Sequence, residues 1–433
     1  MATNLIRIID SSDTRAVDRV FARRAVRLED AERTVQPVIE AVRRAGDAAL
    51  VRYARQWDRY QGKTAAGFIV REIALAAAAR SVSPAFRTAV KQAARNIRKF
   101  AEMQMPAEWR KPLASGIRAG QLIRPLDSVG CYIPAGRYPL PSTLLMTAIP
   151  AQVAGVKRIV ICTSRPVPEI LAVAHELGIN EIYTVGGAQA IAALAYGTKT
   201  IAPVAKVVGP GSAYVTAAKR LVSRDVSIDF VAGPTEVLII AEGKSFPAEF
   251  IAADMLAQAE HDVDAAAIVL ADSRPLAGRL LNALAAQLKT LPSESPAAAS
   301  LQANGAIIIV KNRGEAIELS NRFAPEHLCV PRNFPLDKIQ NAGSIFVGPF
   351  SPEAAGDYAS GPNHVLPTSG MARLRGGLSV LDYLKVVTVQ QLDRAGLKRI
   401  TPTITTIARA EGLEAHARSV EIRMKTSSIT RKK

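Results

Sequence analysis

Apolar residues recur along this chain with two periods, and the change from one to the other marks out its parts. Val35, Val38, Ile39 and Val42 fall at helix spacing, which predicts an amphipathic helix ended by Gly46 and a second one capped by Asp47 and running to about Trp57. Another helical run covers 84–103 and stops before Pro106. Between Gly116 and Ile133 the pattern breaks into short extended pieces punctuated by Gly120, Pro125 and Gly130, which predicts a hairpin leading into the next domain.

From there buried strands alternate with single helices. Strands are predicted at 158–162, 181–185, 206–208 and 226–230, with helices at 169–177 and 188–196 and a third before Val226. After Ala232-Gly-Pro234 the alternation restarts, with strands at 237–240, 267–270, 306–310 and 344–347; the helix after the first of these carries Gln258 and His261. Strands separated by one helix each imply parallel βαβ units. The predicted fold is α/β: two successive doubly wound domains between a helical N-terminal part and a C-terminal segment. Ligands are expected at the carboxyl ends of the strands and between the domains.

Length changes this picture little, since 433 residues at about 150 per domain fit two to four domains. No apolar run approaches the roughly 18 residues of a membrane span, and the start lacks the apolar core of a signal peptide, so a cytoplasmic protein with no membrane role is expected. Cys131, Cys162 and Cys329 are odd in number, scattered and in no CxxC pair, which argues against a disulfide framework and a thiolate zinc site. The net charge of +17 raises the question of nucleic acid. Arg15, Arg19, Arg23, Arg24 and Arg27 lie along helices without the interleaved aromatics that stack bases, so a solvated basic surface, favourable to anionic dinucleotides, is the preferred reading; a nucleic-acid-binding protein is the alternative from another class.

Histidine is scarce, and four of the five, His261, His327, His364 and His416, lie among glycines, prolines, acids or amides, whereas His175 lies in a plain amphipathic helix. Gln258 and His261, three apart, share one helix face and can hold a cation if an anionic ligand joins them. Asp262, Asp357, Glu411 and Glu414 are the available donors, and such a set suits zinc first in a site open to substrate. Ala324-Pro-Glu326-His327 places an acid beside an imidazole, although proline followed by glutamate is also ordinary helix-start chemistry. The Gly/Pro/Ser-rich loop 356–370, with Asp357 and His364, reads as functional. Val185-Gly-Gly-Ala-Gln189 and Gly209-Pro-Gly-Ser212-Ala-Tyr214 are glycine turns opening helices, where free N–H groups favour a phosphate. Tyr132-Ile-Pro-Ala-Gly-Arg137 adds an aromatic and a cation. Metal, nucleotide and acid–base chemistry all remain open on these grounds.

Together these stretches, with Val38-Ile-Glu-Ala-Val-Arg-Arg-Ala-Gly-Asp47, Ala232-Gly-Pro-Thr-Glu236, Gln258-Ala-Glu-His261, Gly356-Asp-Tyr-Ala-Ser-Gly-Pro-Asn-His364 and Glu411-Gly-Leu-Glu-Ala-His416, resemble the histidinol dehydrogenase family in family order over nearly the whole chain. The resemblance implies incomplete Rossmann-like, aldehyde-dehydrogenase-like domains and a C-terminal dimerisation segment. The expected divisions are an N-terminal helical arm (1–30), a helical part packing with the second α/β domain (31–131), an NAD-binding domain (132–235), a zinc and substrate domain (236–378) and a segment reaching the partner subunit (379–433). It implies oxidation of L-histidinol through L-histidinaldehyde to L-histidine with NAD, and one zinc per subunit on Gln258, His261, Asp357 and His416. It further implies His327 as proton acceptor and Glu326 as the group activating water. Thr235, His364 and Glu411 are implied as substrate contacts beside His327 and the zinc ligands, and Tyr132, Gln189 and Ser212 as NAD contacts. A homodimer supplying Glu411 and His416 in trans completes the expectation. Ser212 replaces the family's usual asparagine, and Arg137 departs from its usual loop; a paralogous zinc/NAD enzyme for another polar alcohol, such as a sulfonated propanediol, is therefore the second enzyme reading.

Overall fold

The computed structural model describes residues 5–23, 28–135, 139–243 and 246–425; Arg24, Arg27, Gly136, Arg137 and the basic end at 431–433 lie outside the described residues. In chain order the strands are β1 (Arg7–Asp10), β2 (Trp109–Ala114), β3 (Ile117–Pro125), β4 (Ser128–Tyr132), β5 (Arg158–Cys162), β6 (Glu181–Tyr183) and β7 (Lys206–Val208). They continue as β8 (Ser227–Ile228), β9 (Glu236–Ala241), β10 (Ala266–Ala271), β11 (Ala306–Ile309), β12 (His327–Val330), β13 (Ser344–Val347) and β14 (Leu384–Leu392).

Two parallel sheets repeat one topology. The first runs β6-β5-β4-β7-β8, and the second runs β11-β10-β9-β12-β13 with β1 added beside β11. In each, the first strand of the βαβ run, β4 or β9, is flanked on both sides and the order reverses beside it, as the βαβ pattern predicts.

Three local readings are corrected. Residues 128–132, assigned to a hairpin, form the central strand of the first sheet. Gly130 reads as a breaker in sequence, but a Cβ there would come within 2.9 Å of the Leu194 methyls, so the glycine serves close packing of a helix on the strand. The Glu326-His327 stretch opens β12, buried between β9 and β13, where its four apolar-rich residues are too short a signal to separate strand from helix start. Asp47 is the first residue of its helix, after Gly46 at φ 53°, and its carboxylate accepts from Thr200 instead of capping.

The helical part does not pack as expected. Val35, Val38, Val42 and Leu50 join Ile191, Leu194 and Val215 in one buried cluster, so helices Glu29–Ala45 and Asp47–Trp57 cover the first sheet's helices, not the second domain. The first residues are likewise more than a helical arm: β1 extends the second sheet, and Val17 and Val20 of helix Thr14–Ala22 bury against Leu238, Ile240 and Phe323. An apolar stripe shows that a helix must be covered, but not by which partner.

Residues Met105–Pro125 and Leu384–Lys433 form a separate compact unit. In it β14 pairs antiparallel with β3 in unbroken register from Leu384↔Pro125 to Leu392↔Ile117, with β2 on the other side of β3. Two helices close the unit, Arg394–Ala410 and Glu414–Lys425, separated where Gly412 takes φ 77°. Among the described residues no helix is long and apolar enough to cross a membrane.

Candidate active site

The two sheets present opposite edges. Tyr132 ends β4, while Gly186 and Gly209 follow β6 and β7, so the glycine turns lie at the carboxyl edge of the first sheet, as expected. In the second sheet Thr235 precedes β9, Glu326 precedes β12 and His327 begins it, and these lie at the amino edge. Helix Ala248–Ala259 runs back to that edge, which places Gln258, in its last turn, beside them. The candidate residues of the second sheet thus lie at the edge opposite to the one expected. A cavity of about 180 Å³ is lined by Gly209 and Gly211 from the first half and by Thr235, His261, His327 and Asp357 from the second.

Around that cavity, ligand atoms of His261, Glu353 and Asp357 all lie within 4.8 Å of one another. The fully buried amide of Gln258 is 2.9 Å from Thr235 Oγ1 and 3.1 Å from both oxygens of Glu353. Oriented with its oxygen toward Glu353, the amide sets acceptor against acceptor, a conflict that a cation between them or a reversed amide removes. His261 lies just beyond the helix end and is exposed, so the shared helix face predicted for the pair is replaced by a side chain reaching back from the following turn. Glu353 escaped the sequence reading. Its signal is spacing, since it stands one helical turn before Asp357 in helix Glu353–Tyr358.

Glu326 and His327 are buried at 6% and 4% exposure. Glu326 Oε2 accepts from Thr235 Oγ1 at 2.5 Å and from Glu236 N at 2.8 Å. Burial raises its pKa above the ordinary value, partly offset by His327 and these hydrogen bonds. His327 Nδ1 is 3.2 Å from the Glu236 carbonyl, so a proton on Nδ1 fits that acceptor. Nε2 is then on the cavity side: among the described residues it has no hydrogen-bond partner, and it lies 3.8 Å from Asp357 Oδ1, beyond bonding range. Burial disfavours the imidazolium, yet Glu326, Glu353 and Asp357 together raise the His327 pKa to about 10, so the ring carries both protons near neutrality; a divalent ion among these carboxylates would offset their charge and free Nε2. Burial, despite His327, raises Glu353 to about 8, because Asp357 and Glu326 add like charge. Three carboxylates around one imidazole form an anionic basin suited to a divalent ion.

The remaining predicted residues divide by location. Thr235 links Glu326 to Gln258, and His364 Nδ1 is 2.8 Å from the Asp357 carbonyl. Burial lowers the His364 pKa. Tyr132 Oη accepts from Gly187 N at 3.1 Å, Gln189 is fully buried, and Ser212 is exposed at the start of helix Ala213–Val222. A groove of about 340 Å³ is shared by Gln189 and Ser212. Glu411 and His416 are exposed at the junction of the two helices of the other compact unit.

The chain matches the family model for histidinol dehydrogenase over residues 21–424. It belongs to the histidinol dehydrogenase family. It is 46% identical to the histidinol dehydrogenase of Methanothermobacter thermautotrophicus, with 96% of this chain and 99% of the relative covered. It is 46% identical to that of Brucella abortus, over 92% and 93% respectively. The crystal structure of histidinol dehydrogenase from Elizabethkingia anophelis superposes with a TM-score of 0.92 at 38% identity, over 98% of each chain. The family performs NAD-linked oxidation of histidinol to histidine and binds zinc, which makes this chain an oxidoreductase of amino-acid biosynthesis. Nothing in these comparisons favours another alcohol, and Arg137, which motivated one, is outside the described residues.

The residues present fit both groups that the family uses. For zinc, the fit lies in the oxygen and imidazole donors of His261, Glu353 and Asp357, gathered within 4.8 Å of one another. For NAD, it lies in the groove beside the glycine turn, where buried Gln189 Oε1 has no partner among the described residues.

Proposed function

We propose that this chain oxidises L-histidinol to L-histidine in the cytoplasm as a homodimer, through two NAD-linked steps at the cavity between the two sheets. The observation that carries this reading is the buried His327, with Nδ1 against a carbonyl and Nε2 unpartnered beside a set of metal donors. Gln258, His261 and Asp357 would hold the zinc with His416 of the partner subunit, and zinc when bound supplies a Lewis-acid anchor for the substrate's imidazole and amine.

His327 Nε2 accepts the hydroxyl proton as the C–H bond of the carbinol breaks and hydride passes to NAD, leaving the aldehyde. Glu326, held by Thr235 and Glu236, removes a proton from the water that adds to the aldehyde carbon. His327 then takes the hydroxyl proton of the hydrate as the second hydride leaves, giving the acid. Thr235 and His364 contact the substrate from this subunit and Glu411 from the partner; Tyr132, Gln189 and Ser212 contact NAD.

Zinc-loaded protein given limiting L-histidinol should release two NADH per molecule consumed; one or none defeats the reading. Mixing His327→Asn and His416→Asn proteins should restore partial activity through hybrid dimers. No recovery after confirmed subunit exchange would overturn the shared site.

A further inference from the structure

The glycine turn after β6 opens helix Gly187–Tyr196, and such a start normally offers free N–H groups to a phosphate. Here the chain fills that position itself. Gly186 N donates to Asp58 Oδ2 at 3.1 Å, and Gly187 N donates to Tyr132 Oη at 3.1 Å. Asp58 comes from the end of helix Asp47–Trp57, and its Oδ2 also accepts from Gln189 Nε2 at 2.9 Å. A pyrophosphate placed at this turn would have to displace a hydrogen-bonded carboxylate or lie against its charge.

Beside the turn, the groove of about 340 Å³ is near the lower end of the roughly 300–1,000 Å³ range for small-molecule sites, and suits a nucleoside better than a whole dinucleotide. Its walls carry two exposed rings, Trp57 (48%) and Tyr214 (53%). Trp57 is backed by Tyr53, stacked at 4.9 Å with an 11° interplanar angle, which holds it as a flat face for a base. Gln189, pinned by its donation to Asp58, keeps a buried Oε1 with no partner among the described residues, an acceptor for a ligand hydroxyl. No lysine or arginine is among the described lining residues; burial raises the Asp58 pKa, opposed by the hydrogen bonds from Gly186 and Gln189 and by Arg165, which is not part of the lining.

We propose that Asp58 closes this helix start to the cofactor's phosphates and meets the adenosine ribose instead, so that it admits NAD and rejects NADP. A ribose hydroxyl finds acceptors in Asp58 and Gln189. A 2′-phosphate at the same place finds a carboxylate and, among the described lining residues, no cation. The proposal rests on the dinucleotide reading above and adds to it a specificity residue contributed by the N-terminal helices.

Quenching of Trp57 fluorescence by ADP and by 2′,5′-ADP, in full-length protein carrying Trp109→Phe, tests it without turnover. The unaltered groove should bind ADP at least about tenfold more tightly than 2′,5′-ADP. Asp58→Asn should reduce that ratio to about threefold or less, mainly by improving 2′,5′-ADP binding, while Asp58→Glu keeps the preference. Asp58→Ser, neutral and smaller, serves the same purpose if the asparagine variant folds poorly. An unchanged ratio in a folded neutral variant overturns the role of Asp58 alone. Failure of NADH itself to bind the unaltered protein overturns the dinucleotide reading, and this proposal with it.

Discussion

The two halves share a strand order and place their candidate residues at opposite ends of it. In the first, the carboxyl edge is open, and its amino edge is closed: Lys206, the first residue of β7, donates to the Asp382 carbonyl at 2.8 Å, and Arg375 pairs with the Asp382 carboxylate at 2.7 Å. His327 holds the equivalent place on β12, but in a cavity with unpaired nitrogen and three acids around it. The helix after the first strand differs likewise. Pro141–Ala154 carries no charged residue and is almost wholly buried, whereas Ala248–Ala259 carries Glu249, Asp254 and the buried Gln258. One topology can thus hold a ligand at one edge or chemistry at the other, according to which edge its polar residues leave unsatisfied.

Altering these residues tests the contrast. The largest effect is expected for His327→Asn, which removes the proposed proton acceptor: kcat should fall by about 10³-fold with zinc content unchanged. Full rate in that variant would break the assignment of chemistry to the amino edge. Glu326→Gln should slow aldehyde oxidation by about 10²-fold and spare alcohol oxidation, so that NADH released per histidinol drops toward one. Equal slowing of both steps would remove its distinct role. In the closed edge, Lys206→Met should cost about 1–3 kcal/mol of stability in chemical denaturation, with kcat within about twofold. A large loss of turnover in folded protein would mean that the two amino edges are not functionally distinct.

The smallest effect concerns Asp254, whose pKa burial raises to about 6. A carboxyl with a raised folded pKa is favoured when protonated, so it lowers stability as pH climbs from about 4 through 6. Asp254→Asn should therefore be about 1–2 kcal/mol more stable than the unaltered protein at pH 7, with the gain vanishing below about pH 4. A gain that does not change with pH would remove the titration argument.

The sequence carried the βαβ alternation because each strand is a short apolar run and each helix a periodic one. It did not carry β12, masked by a Pro-Glu pair that also reads as a helix start, or β4, masked by Gly130, nor the partner of the N-terminal helices, which is a matter of shape. Scarcity made His261, His327 and His364 legible, and the structure brings them together with Asp357. Glu353 and Asp58 were not legible, since single acids among many are ordinary until burial and neighbours distinguish them. Glu411 and His416 lie in a separate unit, so their part in the site is an expectation of the dimer.

The most direct test of the account is diffraction at the zinc edge from crystals grown with zinc, NAD and histidinol. The anomalous peak should lie between Gln258, His261 and Asp357, at the amino edge of the second sheet, with the dinucleotide at the carboxyl edge of the first. A peak instead at the second sheet's carboxyl edge, near Glu242 and Asp272, would contradict it.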